Sequence, residues 1–259
     1  GWPDQAARMA AEPAFATADL SSLRAASLPA VLPSDQRAAP GARAILFGMT
    51  ETFGPYCGAR LDRDLPADKH GSCGRPFKGV EVRIVDPETG VDVTAGAQGE
   101  IRLRGPNLMR GICGRLRSEV FGAEGFYATG DLGVLDEDGC LWYRGRRDDM
   151  FKVKGATVYP IEVEAALRAL PGVSDAFVTG VVDDEGTRRV AALVVADAPN
   201  DQHDFAERVR SRLSSFKIPT RWLVLDDPHA VPRLASGKID RRALRDLLGN
   251  EGRERLDPG

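Results

Sequence analysis

The sequence has few of the residues that mark metal-bound or disulfide-linked proteins. Its 259 residues include four cysteines and three histidines. The cysteines stand far apart, at Cys57, Cys73, Cys113 and Cys140, and none forms a Cys-x-x-Cys pair. Neither a zinc site nor a disulfide framework is therefore indicated. We expect buried, reduced thiols, which are typical of a cytoplasmic protein.

The chain also lacks a long apolar run and an excess of charge of one sign. No apolar stretch approaches the roughly 20 residues that a membrane-spanning helix needs. The 35 basic and 38 acidic residues leave a net charge of −3. Basic residues are therefore not in excess, as they would be in a protein that binds nucleic acid or an anionic membrane. The hydrophobic content of 42% indicates instead that the chain can supply a packed core.

Strand patterns dominate the first part of the sequence. The apolar run Ala44–Phe47 predicts a short buried strand, and the polar stretch Gly48–Thr52 follows it directly. In open α/β sheets, ligands bind beyond such strand ends. Period-two alternation in Val80–Val85 and Glu100–Arg104, with a hairpin across residues 136–139, predicts a small barrel or sheet.

A charged joint follows this β region. Gly145–Asp149 is dense in charge, Met150–Lys154 alternates as a short strand does, and Gly155 breaks the alternation. New elements begin at once, so we interpret the joint as a domain boundary. We assign residues 1–147 to one domain, with a β subdomain over about 71–144, residues 148–249 to a second, and residues 250–259 to a polar tail.

The second domain has an α+β pattern. Apolar residues at helical spacing predict an amphipathic helix over residues 161–170. Strands over residues 173–182 and 187–195 form a predicted hairpin, and a helix over residues 204–213 and a strand over residues 222–225 follow. Asp240 is a suitable N-cap for a final helix.

Lys238 is the candidate catalytic residue in this domain. It follows Gly237 in a loop, which invites comparison with a phosphate-binding loop. That motif requires glycine at position 232 and a hydroxyl at 239, where this chain has Pro232 and Ile239, so the motif is absent. Taken alone, a loop lysine is usually solvated.

Five short motifs change this interpretation. They are Phe47–Glu51, Gly99–Gly105, Tyr127–Leu132, Gly145–Asp148 and Ser236–Arg241. In order and spacing they resemble the C-terminal half of the adenylate-forming superfamily, which includes acyl-CoA synthetases and other AMP-dependent ligases, peptide-synthetase adenylation domains and firefly luciferase. The resemblance covers nearly all of this chain but only about half of a family enzyme.

The resemblance implies a fold of mixed α/β and α+β class. The chain would comprise the end of the large N-terminal domain with its small β-barrel subdomain, followed by the mobile α+β C-terminal domain. The N-terminal half of the same enzyme, with the phosphate loop and most of the acyl pocket, would be missing. By itself the chain is therefore expected to be inactive.

The implied activity is the activation of a carboxylic acid, such as a fatty acid, by ATP to an acyl-AMP, followed by transfer to a thiol. The implied cofactors are ATP, Mg²⁺ and CoA. Tyr159-Pro160 after Gly155 looks more like acyl-CoA synthetases than like peptide-synthetase domains. An acyl-AMP ligase, an adenylation domain that loads a carrier protein, and a non-catalytic binding module remain alternatives.

The resemblance also implies residue roles in nucleotide binding. Phe47 matches the aromatic that stacks on adenine, where the family usually has tyrosine, and Gly48 and Met49 follow it in the same nucleotide-binding motif. Thr50 is similar to the residue that contacts the α-phosphate, and Glu51 to the Mg²⁺ ligand.

Further roles fall on both sides of the joint. Asp131 resembles the carboxylate that binds both ribose hydroxyls, and Arg146 a second ribose contact. Lys238 matches the lysine that bridges the acyl carboxylate and the α-phosphate. Attack of a carboxylate on a phosphate brings two anions together, so cations are needed where charge accumulates.

The joint itself acquires a role through the resemblance. Asp148 matches the hinge about which the C-terminal domain rotates between two half-reactions. Lys154 and Gly155 would then lie on the face that admits the thiol. Phe216 and Lys217 resemble the loop that meets the CoA nucleotide.

Overall fold

The computed structural model describes residues 3–21, 31–32, 37–39, 41–60, 62–196, 202–235 and 237–254. Internal contacts divide the chain into a first unit, Gly1–Tyr143, and a second unit, Arg144–Gly259. The proposed boundary between residues 147 and 148 lies four residues beyond this division and stays a prediction.

The first unit begins with a helix and a small sheet. Helix α1 spans Pro3–Ala11. A three-stranded antiparallel sheet follows, with the order β1-β2-β3. Its strands are β1 (Phe47–Met49), β2 (Gly54–Gly58) and β3 (Arg75–Pro76).

The prediction of a buried strand over Ala44–Phe47 is wrong. The strand begins only at Phe47. Ile45 and Leu46 are 52% and 36% exposed, so this apolar run is not a core strand. The Ile45 N–H bonds the Ser72 carbonyl at 3.1 Å, outside any strand ladder.

A four-stranded sheet forms the β region of the first unit, and its order is β4-β5-β6-β7. Its strands are β4 (Glu81–Val85), β5 (Gln98–Arg104), β6 (Tyr127–Leu135) and β7 (Leu141–Arg146), with the short helix α2 (Arg117–Val120) before β6. The strands and the hairpin predicted here are confirmed. Alternation places Ile101 and Leu103 of β5 in the core, both fully buried.

The cysteines divide into two environments. Cys57, Cys73 and Cys140 are buried free thiols, as expected, whereas Cys113 is exposed. Burial raises the pKa of Cys73 to about 11, so its thiol stays protonated near neutral pH.

The second unit opens with a two-stranded hairpin. Strands β8 (Phe151–Val153) and β9 (Ala156–Val158) pair antiparallel, and β8 is the short strand predicted after the joint. Lys154 and Gly155 connect them with φ angles of 49° and 84°. Positive φ at both positions is the requirement of a type I′ hairpin turn.

A three-stranded sheet lies at the centre of the second unit. Strand β10 (Val173–Val182) pairs antiparallel with β11 (Arg188–Ala196), which pairs in parallel with β12 (Arg221–Leu225). The helices are α3 (Pro160–Arg168), α4 (Gln202–Val209) and α5 (Arg241–Glu254).

The central strand β11 is buried on both faces. Val190, Ala192 and Val194 belong to a cluster that includes α3 and α4, whereas Leu193 and its neighbours pack with Leu244 of α5. Helices therefore cover both sides of the sheet.

Helix ends account for the remaining differences from expectation. Helix α4 ends at Val209 and not at residue 213. The Asp240 cap is confirmed, because its Oδ1 accepts from the N–H groups of Arg242 and Ala243, both at 3.0 Å. Helix α5 continues to Glu254, five residues into the segment assigned as a polar tail, and the bounds of that tail stay a prediction. Residues 255–259 lie outside the described part.

Candidate functional site

The Thr50–Glu51 pair lies in a 3₁₀ turn that follows β1 directly. This turn spans Thr50–Thr52. Thr50 is exposed and Glu51 is half-buried, so both are open to a ligand. Thr52 is buried, and its Oγ1 lies 2.6 Å from the Gly54 carbonyl and 3.0 Å from that of Met49. The buried hydroxyl thus fixes the turn that carries the two candidate ligands.

A second loop forms hydrogen bonds with the same turn. The Met109 N–H donates to the Glu51 carbonyl at 2.8 Å, and Asn107 Nδ2 donates to the Thr52 carbonyl at 3.3 Å. Neither residue belongs to a motif identified in the sequence. The only sequence signal was the Gly105-Pro106-Asn107 turn after β5.

Phe47 packs its ring between two tyrosines. Its centroid lies 4.8 Å from that of Tyr143 and 5.4 Å from that of Tyr56, the second pair edge to face. Phe47 itself is half-buried, so part of its ring remains open. These contacts fix the ring orientation of the residue expected to stack on adenine.

Tyr56 is a third residue near the candidate site that no sequence motif identified. Its side chain is fully buried, and its hydroxyl has no hydrogen-bond partner among the described residues. Burial, followed by the nearby Cys57 and Asp131, raises the pKa of Tyr56 well above its usual range. The phenol therefore stays protonated and can donate a hydrogen bond.

Asp131 lies inside β6. The pairing of β5 with β6 shifts register close by, between Glu100 and Arg102. Such bulges redirect side chains. The Asp131 N–H donates to Thr129 Oγ1 at 3.0 Å, and that hydroxyl donates to the Ile101 carbonyl at 2.7 Å. Asp131 is 7% exposed, and its negative charge contributes to the raised pKa of Tyr56.

Two of the site residues at the joint are close together in the second unit. Arg146 and Asp148 form an ion pair at 3.7 Å, with side chains 41% and 83% exposed. The Asp149 N–H bonds the Arg146 carbonyl at 3.3 Å, which closes a turn around Asp148. Lys154 and Gly155 occupy the exposed tip of the β8–β9 hairpin.

Lys238 is presented on a small exposed hairpin. Arg233 and Ile239 form a bridge at its base, and the Leu234 N–H donates to the Lys238 carbonyl at 2.8 Å. Gly237 adopts a φ of 81°, which allows the tight turn before Lys238. Ser236 lies outside the described residues. A flexible lysine at such a tip can reach a ligand held elsewhere.

Lys217 is already engaged within its own unit. Its ammonium lies 2.6 and 2.7 Å from the two oxygens of Glu162, and its side chain is 17% exposed. Phe216 packs partly against the core of the second unit. A phosphate at Lys217 would therefore compete with Glu162.

The described part of the chain contains neither a metal-binding cluster nor a membrane-spanning helix. No group of three His, Cys, Asp or Glu residues there could hold a metal ion. No helix there combines the length and the apolar character that crossing a membrane requires.

Both units fall within one class of enzyme. The family model described as AMP-binding enzyme matches residues 1–113, and that described as AMP-binding enzyme C-terminal domain matches residues 162–238. The chain therefore belongs to the AMP-binding, adenylate-forming enzymes. Asp131, Arg146, Asp148 and Lys154 lie between the two matched ranges.

Individual relatives are CoA ligases. The chain is 35% identical, over 76% of its length, to a 2-succinylbenzoate–CoA ligase of Bacillus licheniformis. It is similar to the crystal structure of ATP-bound MatB from Rhodopseudomonas palustris, with 34% identity, a TM-score of 0.68 and coverage of 77% of this chain and 39% of that one.

A third relative is o-succinylbenzoate CoA synthetase (MenE) from Bacillus subtilis in complex with ATP and magnesium ion. The TM-score is 0.65 at 33% identity, and the match covers 78% of this chain and 40% of that one. The predicted family and the mixed fold class are thereby confirmed. The chain spans about 40% of the length of the curated relatives that it matches.

Proposed function

We propose that the chain belongs to an acyl-CoA synthetase, an ATP-dependent acid–thiol ligase that forms AMP. The observation that carries the proposal is that one chain, whose relatives are CoA ligases, contains both the Thr50–Glu51 turn and the Lys238 hairpin. The first candidate substrate is a carboxylic acid related to 2-succinylbenzoate, for which these relatives are named. A fatty acid is the second.

The first half-reaction would join the acid to the α-phosphate of ATP and release pyrophosphate. Phe47 would stack on adenine, Asp131 would accept hydrogen bonds from the ribose hydroxyls, and Thr50 would contact the α-phosphate. The ring packing of Phe47 and the bulge near Asp131 support these roles, because both orient the side chains before ligand binds.

Glu51 would hold Mg²⁺ together with the nucleotide. A half-buried carboxylate on a braced turn fits this ion, which takes few protein carboxylates and completes its octahedron with phosphate and water oxygens. The bound ion would offset negative charge on the phosphates. Lys238 would place an ammonium between the acyl carboxylate and the α-phosphate, where two anions meet.

The second half-reaction would transfer the acyl group to the thiol of CoA. We propose that the second unit turns about Asp148 between the two half-reactions, with Arg146 as a further ribose contact. The type I′ turn at Lys154 and Gly155 would then face the thiol. Phe216 and Lys217 would meet the CoA nucleotide, and Lys217 would have to leave Glu162 to do so.

Separate assays of the two half-reactions test this proposal. In the full-length natural protein, Lys238→Ala should slow acyl-adenylate formation by about 10²–10³-fold. This is the usual cost of removing a group that stabilises charge in the transition state. Thioester formation from supplied acyl-AMP should be largely retained. The matched control is Lys152→Ala, an exposed lysine of β8 with no assigned role.

Two outcomes would contradict the proposal. If the Lys238→Ala variant forms acyl-adenylate as fast as the wild type, Lys238 has no role in that step. Thioester on a holo-carrier protein with none on CoA would favour the alternative of a carrier-loading adenylation domain. Acyl-AMP with neither thioester would indicate an acyl-AMP ligase. The buried free thiols support the further prediction of a cytoplasmic location.

A further inference from the structure

A buried carboxylate in the second unit contacts charged residues from distant parts of the chain. Glu164 of α3 has a side chain that is only 7% exposed. Its Oε1 accepts from the Val178 N–H at 3.0 Å, and its Oε2 accepts from Arg168 at 3.1 Å. A carboxylate this far from water is stable only with such partners.

Arg241 supplies the remaining partner of Glu164. Its Nη1 lies 3.2 Å from Glu164 Oε1 and 3.1 Å from the Val178 carbonyl. Its Nη2 lies 3.7 Å from a carboxylate oxygen of Asp149, the residue that directly follows the proposed hinge at Asp148. One guanidinium therefore contacts the core of the unit and the joint together.

The position of Arg241 makes these contacts relevant to Lys238. Arg241 is the first residue of α5, immediately after the Lys238 hairpin. The N-terminus of a helix disfavours a cation, so propensity does not account for arginine at this place. The hairpin is also held at its base, where the Asp240 N–H bonds the Pro232 carbonyl at 3.0 Å.

We propose that Arg241 is a positioning residue that links the Lys238 hairpin to the joint through Asp149. Any change of backbone angle at Asp148 would then move the lysine together with the joint. The planar guanidinium is suited to this task because it holds several acceptors in fixed directions, which an ammonium does not. The catalytic consequence rests on the proposed function, whereas the mechanical link does not.

Amide hydrogen exchange on the full chain tests the mechanical link. Arg241→Lys keeps the charge but cannot hold all three acceptors. We expect the hairpin amides of Leu234, Gly237 and Asp240 to exchange about tenfold faster, which corresponds to about 1.4 kcal/mol of local opening. The matched control is Arg242→Lys, an exposed arginine on the same helix turn, for which exchange should change less than twofold.

Asp149→Asn is the second variant and removes only the contact with the joint. It should raise exchange of the hairpin amides about threefold. The double variant with Arg241→Lys should show less than the product of the two effects, because both changes break the same ion pair. Unchanged hairpin exchange in Asp149→Asn would overturn the proposed link, even if Arg241→Lys unfolds.

A comparison of the half-reactions separates positioning from a general structural role. In the full-length natural protein, Arg241→Lys should slow acyl-adenylate formation at least tenfold. Thioester formation from supplied acyl-AMP should slow less than twofold. Equal slowing of both steps would overturn the positioning role. If the wild type forms no acyl-adenylate, the proposed function is wrong. The hydrogen-exchange experiment still tests whether Arg241 links the Lys238 hairpin to the joint.

Discussion

Replacing Gly48 with alanine tests whether the Thr50–Thr52 turn depends on close backbone contact. A Cβ added at Gly48 would lie 2.2 Å from the Gly54 carbonyl oxygen and 2.5 Å from Pro55 Cα. Both are backbone atoms, so no side-chain rotation relieves the overlap. Strand β2 would have to withdraw by about 1 Å, and overpacking of this kind costs about 1–3 kcal/mol.

The displaced carbonyl has a second role in the site. It accepts the 2.6 Å hydrogen bond from Thr52 Oγ1, and Thr52 is buried. Losing that bond adds about 1 kcal/mol, so we expect Gly48→Ala to lower the free energy of unfolding by about 2–4 kcal/mol. The turn should also lose its orientation, which should weaken ATP binding.

Chemical denaturation and ATP titration measure the two effects. The control is Gly111→Ala, since a Cβ there would meet nothing within 4 Å. If Gly48→Ala matches this control within about 0.5 kcal/mol and binds ATP equally, the contact between β1 and β2 does not constrain the turn.

Two further predictions concern polar groups of the first unit. Burial of Asp136 raises its pKa, but hydrogen bonds from Trp142, Lys69 and the Cys140 N–H outweigh it and hold the pKa at about 2, below the ordinary value of 3.8. The resulting stability is complete above pH 3.8 and is lost as the pH falls through 2. Wild type should therefore lose about 1–2 kcal/mol relative to Asp136→Asn between pH 5 and 2 in denaturation experiments, and equal pH profiles would contradict this. Tyr56→Phe removes a hydroxyl without a partner among the described residues, so thermal denaturation should show stability unchanged or slightly raised; a loss above about 1 kcal/mol would reveal a partner.

Local patterns predicted most of the secondary structure. Alternation identified β4 and β5, and the Asp240 cap identified the start of α5. The prediction of a buried strand over Ala44–Phe47 was wrong for a physical reason. An apolar run shows that residues can be buried but not that they are, and here Ile45 stays 52% exposed.

The candidate site was predictable only in part. The motifs that resemble the family supplied Thr50, Glu51 and Lys238, and the family matches cover all three positions. They did not supply Tyr56 or Asn107, which have no motif of their own. Both lie near the site because strand pairing and a loop contact bring them there.

The sequence by itself determined the family and most of the strands and helices of both units. These follow from residue order and from contacts between near neighbours. Only the tertiary structure decided that Lys217 pairs with Glu162, 55 residues away, and that Arg241 pairs with Glu164, 77 residues away. Such pairs arise because packing brings distant segments together, and local periodicity carries no information about which charges will then meet.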